Sequence, residues 1–139
     1  MAEQLLAQIG GVNPKATRES LETFKELSLR FPDSKYTPDA RLRMRYLVNT
    51  LASYQVHVAR YYVKRGAYVA AANRAQAEVK DFPDSPATEE ALLLLVKSYD
   101  ALGLTDLRDD ADRVMRKNFP NSRFLVTQSP NGQPWWKVW

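Results

Sequence analysis

Few side chains in this 139-residue sequence have the type and spacing to turn over a substrate. A hydrolytic or transfer site built on histidine would rest on the single ring of His57, and without cysteine there is neither a thiolate nor a sulfur ligand for zinc. His57 falls in the middle of a long helical stretch with no partner at catalytic spacing. Asp109, Asp110 and Asp112 gather carboxylates, but neighbouring residues on a helix point apart. They read as solvated acids in a helix's first turns. No glycine-rich phosphate loop and no calcium-loop spacing occurs, so the sequence implies no cofactor and no metal site. Catalysis is not expected.

Residues suited to holding a partner are more evident. Arg41, Arg43 and Arg45 crowd "ARLRMRY"; on a helix Arg41 and Arg45 share a face while Arg43 points elsewhere, giving either a solvated face or an electrostatic contact for an acidic partner. In "KRGAYVAAANR", Lys64 and Arg65 occupy a turn and Arg74 follows on the next helix. The small residues around Arg74 would leave its guanidinium free to fork a carboxylate. The end of the chain, "NGQPWWKVW", packs Trp135, Trp136 and Trp139 into five residues. Exposed indoles are costly unless covered. Either they fold back and cap the last apolar layer, or they anchor a partner.

The bulk composition admits this kind of work and excludes others. At 45% hydrophobic and 26% charged, the chain has the make-up of a single globular domain, and no apolar run approaches the length of a spanning helix. A net charge of +4 is mildly basic, too little to argue for nucleic acid. The absence of cysteine leaves the redox compartment open. "MAEQLLAQIGG" has no basic head, apolar stretch or cleavage site, so no export signal is read in it.

The elements that must position these residues are announced by repetition. "RFPDSKY", "DFPDSPA" and "NFPNSRF" place Pro32, Pro83 and Pro120 at separations of 51 and 37 residues. Gly66 and Gly103 each precede their proline by 17, and Tyr62 and Tyr99 each precede their glycine by four. A glycine that ends one helix in the left-handed conformation and a proline that ends the next make a helix-turn-helix unit. Asn13-Pro14, Thr37-Pro38 and Ser85-Pro86 read as cap-plus-proline helix starts. Helices are therefore expected at 14–30, 38–64, 68–81, 86–102 and 106–118. The apolar stripe Ala40, Met44, Leu47, Val48, Leu51, Tyr54, Val58, Tyr61 and Tyr62 fixes the buried face of the longest. Ala71, Ala75 and Val79 do so for the third helix, and Ala91, Leu92, Leu95, Tyr99 and Leu102 for the fourth. The phenylalanines of the words, Phe31, Phe82 and Phe119, should pack between helix pairs. The expectation is an all-α solenoid over 13–125, preceded by a short stub at 1–12 and followed by a tryptophan-rich tail at 126–139.

"YYVKRGAYVAAANRAQAEVKDFPDS" can be laid on the tetratricopeptide pattern, with Tyr62, Gly66, Tyr68, Ala71 and Pro83 at its signature positions. Together with "FKELSLRFPDSKYTPDARLRMRYLVNTLASYQVHVARYYVKRGAY", about residues 13 to 125 resemble the C-terminal half of the BamD (ComL) family. These are outer-membrane lipoproteins of the β-barrel assembly machinery of Gram-negative bacteria. The resemblance implies a five-repeat solenoid whose last repeats stand here, without the family's signal peptide, lipidated cysteine and first two repeats. It implies a non-catalytic scaffold at the periplasmic face of the outer membrane, with membrane attachment only through an anchor this chain does not contain. Its partners would be the POTRA domain of BamA nearest the barrel and the lipoproteins BamC and BamE. In the family the arginine of the Asn-Arg pair faces that POTRA domain, which makes Asn73 and Arg74, with Lys64, Arg65, Tyr68, Arg41 and Arg45, the candidate contact set. An alternative is a periplasmic peptide receptor for unfolded barrel precursors or their targeting signals.

Overall fold

A computed structural model describes residues 13–126 and 130–139; the expected stub at 1–12 lies outside the described residues. Five helices follow one another: α1 (Pro14–Arg30), α2 (Thr37–Lys64), α3 (Tyr68–Asp81), α4 (Thr88–Ala101) and α5 (Thr105–Asn118). A single turn α6 (Arg123–Val126) and two 3₁₀ turns (Pro130–Gly132 and Trp135–Lys137) complete the described chain, which contains no strand. Each helix packs on its neighbours in sequence, and α2 also touches α4. The fold is an all-α, tetratricopeptide-like stack of antiparallel helix pairs.

The glycine ends are as the spacing predicts. Gly66 and Gly103 sit at φ of +76° and +74°. The next amide turns back to the tyrosine carbonyl in both cases, Ala67 N to Tyr62 and Leu104 N to Tyr99, at 2.9 Å. Each glycine amide meets a carbonyl three residues back, Val63 at 3.0 Å and Asp100 at 3.1 Å. This closes the last turn of α2 and α4 against the orphan carbonyls of a helix end.

The three Phe-Pro words build one turn three times. The serine amides of Ser34, Ser85 and Ser122 donate to the carbonyls of Phe31, Phe82 and Phe119 at 3.2, 3.0 and 3.0 Å. Each serine hydroxyl accepts from the amide two residues on, Tyr36, Ala87 or Phe124. This replaces the expected caps at two starts. Asn13 does cap α1, accepting from Ala16 N at 3.2 Å. Helix α4, however, begins at Thr88 after Pro86 rather than with it, because Ser85 is already spent on the turn. Likewise Thr37 is the first residue of α2, and its hydroxyl donates back to the Phe31 carbonyl at 2.6 Å.

Helix α4 is the axis of the core. Its run Leu92–Val96 is buried all round, more than the stripe expected, because α3, α5 and the C-terminal turn enclose it. Ala71 and Ala75 of α3 are fully buried, so α3 lies close against its neighbours. Phe119 packs on the core as expected, Phe82 is half-buried at the edge of an open groove with Arg45 and Val48, and Phe31 is 56% exposed, since α1 among the described elements is flanked by α2 alone.

Candidate interaction surface

The residues singled out for partner contact lie on α2, on α3 and in the turn between them, and the structure spreads them over separate surfaces. Arg74 does not stand free as its small neighbours suggested. Its side chain is half-buried and turns toward α2, where Nη1 lies 3.5 Å from Oε1 of the buried Gln55. An open cleft of about 370 Å³ surrounds it, bounded by Tyr54 and Gln55 of α2 and by Pro14, Lys15, Arg18 and Glu19 from the first turns of α1. Among the described lining residues three cations stand with one acid, a balance that suits an anionic side chain. Asn73 is exposed beside it.

Tyr68 opens α3, and Lys64 and Arg65 close α2 just before it. Arg65 stacks over the Tyr61 ring at 4.8 Å, and Lys64 is exposed. Tyr68 and Lys64 line a second open cleft of about 590 Å³ with Lys97, Asp100, Trp136 and Lys137. Arg41 and Arg45 are exposed on the first half of α2; Arg45 borders a third groove beside the Asp81–Pro86 turn. Arg43 is drawn aside by Asp39 at 3.5 Å. The seven residues thus do not form one patch.

The described part of the tail, 130–139, lies back on the last repeat. Trp135 is 6% exposed, and its Nε1 donates to Asp112 Oδ1 at 2.7 Å, while Arg116 Nε reaches the same oxygen at 3.1 Å. Asp112 is therefore not the solvated acid its sequence neighbours suggested. Trp136 is half-buried, edge-on to Trp135 and under the Arg108 guanidinium at 5.3 Å. Trp139 keeps 42% exposure, stands edge-on to Phe124 and donates to its carbonyl at 3.2 Å.

His57 lies half-buried along α2 in an open groove with Tyr46, Asn49, Thr50, Ser53 and Arg60, with no carboxylate among those lining residues. Among the described residues no cluster of potential metal ligands occurs. Two features escaped the sequence. Arg60 forks Glu90 across α2 and α4 at 2.8 and 2.7 Å, a pair 30 residues apart with no local signal. Glu78 of α3 is fully buried, with Oε1 3.0 Å from the Thr88 hydroxyl and Oε2 without a partner. A signal for it did exist, since the positions four before the three phenylalanines read Leu27, Glu78 and Met115.

The model of the outer membrane lipoprotein family YfiO matches residues 6–115. A protein of Neisseria meningitidis serogroup A named outer membrane protein assembly factor BamD is 47% identical over 128 residues, covering 91% of this chain and 48% of that protein. Proteins of the same name from Neisseria gonorrhoeae, at 45% over 128 residues, and Haemophilus influenzae, at 37% over 123, are covered to 48% and 47% of their own length and match 91% and 84% of this chain. The chain spans about half the length of the curated relatives it matches. No helix among the described residues is long and apolar enough to cross a membrane.

Proposed function

Since the chain belongs to the outer membrane lipoprotein family YfiO, to which its BamD-like relatives point, we propose that it is the C-terminal scaffold of a β-barrel assembly complex. It works at the periplasmic face of the outer membrane of a Gram-negative bacterium, in a full-length protein held there by a lipid. It makes and breaks no bond. Its mechanism is to present a rigid helical surface on which the POTRA domain of BamA nearest the barrel, and accessory lipoproteins such as BamC and BamE, are held in register. The observation that carries this reading is the cationic cleft in which Arg74 stands with Lys15 and Arg18. A guanidinium pre-positioned by Gln55 loses little freedom when it meets a carboxylate.

The test is titration of isolated BamA POTRA domains against the chain and its Arg74→Glu variant. Reversing the charge should weaken binding at least about tenfold, the effect of roughly 1.4 kcal/mol, with the helical circular dichroism retained. Unaltered affinity, with Arg18→Glu equally silent, would remove the cleft from the interface.

A second reading, a receptor for unfolded barrel precursors, is favoured by the polar groove along α2, where Asn49, Thr50, Ser53 and His57 offer donors and acceptors to an extended chain. Tight binding of precursor peptides that Ser53→Arg abolishes and Arg74→Glu spares would support it over the scaffold.

A further inference from the structure

Position 78 breaks the apolar rule of its register. The amides of Phe31, Phe82 and Phe119 each donate to the carbonyl four residues earlier, on Leu27, Glu78 and Met115 respectively. These three residues are thus structural equivalents, and Met115 is fully buried in the core. Glu78 is equally buried, yet it carries a carboxyl group into that apolar place.

Thr88 determines which form of the carboxyl fits. Its oxygen lies 2.8 Å from the Phe82 carbonyl and 3.0 Å from Glu78 Oε1. A hydroxyl has one hydrogen, so it serves one of these acceptors. In the equivalent word, Thr37 gives its hydrogen to the Phe31 carbonyl. If Thr88 does the same, the short approach to Glu78 needs a hydrogen on the carboxyl. If Thr88 turned to an ionised Glu78 instead, two oxygens without a hydrogen would face each other at 2.8 Å, and the charge would be buried with Oε2 unpaired.

We propose that Glu78 is held as a neutral carboxylic acid that donates to Thr88 Oγ1, making the α3–α4 junction a latch closed by one proton. The charged groups on the elements packed against it are bound elsewhere or exposed to solvent. Of its neighbours on α4, Glu89 accepts from Ser122 and Glu90 holds Arg60. On α3, Asp81 is exposed, and Arg74, one turn back, reaches toward Gln55. On α2, Arg45 is exposed beside the Asp81 turn. Burial pushes the Glu78 carboxyl up to about 7. The folded value lies above the ordinary one, so the latch's contribution is complete below about 4.5 and is lost as pH rises through about 7. Opening it loosens the end of the helix that also carries Asn73 and Arg74.

The test is a carbon-13 titration of the Glu78 carboxyl in the folded full chain, with urea unfolding at pH 5 and pH 8 for the wild type, Glu78→Gln and Glu78→Met. A glutamine amide reproduces the donated hydrogen, and methionine copies Met115. The midpoint should lie near 7, and the wild-type unfolding constant should rise roughly 70-fold more between the two pH values than that of either variant. A midpoint near the ordinary carboxylate value, or the same pH slope in the wild type and Glu78→Gln, overturns the proposal. If a variant does not fold, the wild-type titration decides alone.

Discussion

Trp135 offers a sharp test of how the tail is held. Replacing it by alanine removes a ring that is 6% exposed and packed among Phe124, Trp136 and the core of α4. Truncating a buried tryptophan costs about 3 to 5 kcal/mol, and a site at the end of the stack, where solvent can enter, belongs near about 3. Replacing it by phenylalanine keeps most of the apolar area and removes the bond from Nε1 to Asp112. A hydrogen bond to a charged group is worth about 1.5 to 3 kcal/mol, but Asp112 retains Arg116 and partial access to water, which lowers the expected loss to about 1. Urea unfolding followed by circular dichroism should therefore rank wild type, Trp135→Phe and Trp135→Ala in that order, with spacings of about 1 and 2 kcal/mol. Thermal midpoints should fall by about 3 and 9 °C for a domain of this size. A Trp135→Ala variant within about 0.5 kcal/mol of wild type would refute the docking of the tail onto α4 and α5.

The two glycines that end α2 and α4 give a cleaner conformational measurement. A Cβ at Gly66 or Gly103 meets nothing within 4 Å, so Gly66→Ala and Gly103→Ala should each cost about 1 kcal/mol from backbone strain alone. A loss above about 3 kcal/mol in chemical denaturation would point to a clash instead. The Arg60–Glu90 fork joins α2 to α4 with side chains 41% and 27% exposed, so solvent screens it and Arg60→Met should cost only about 1 kcal/mol. That difference should shrink as salt is raised in the unfolding experiment; a difference indifferent to salt would mean that Arg60 acts by packing rather than by charge.

The glycines, the prolines and the three-and-four spacing were enough to place the helices, because those signals act over one or two turns. The helix starts were harder to read: Ser85 and Thr37 are good capping residues in isolation, yet both are absorbed into the turn that precedes the helix. A turn that recurs in the same form outcompetes a local cap preference. The burial of Leu93 and Leu94 is not legible in the apolar stripe, because α3, α5 and the turn at Trp135–Lys137 enclose α4 and no period of a single helix encodes those neighbours. Arg74 was legible as a candidate but not as a side chain turned into a cleft, since Gln55 lies 19 residues away across a hairpin. Glu78 was concealed by its chemistry, as a glutamate on a helix is read as solvated until the three words are aligned.

The turn written three times has a further consequence for how the chain tolerates damage. The hydrogen bonds that shape each copy join residues no more than six apart, and the helices it joins touch chiefly their immediate neighbours. Such a stack behaves as a row of semi-independent units, in which a fault spreads to the adjoining pair and fades beyond it. A lesion at the tryptophan end should leave the Arg74 cleft standing, so the two ends of the molecule are free to vary separately as long as the punctuation between them is kept.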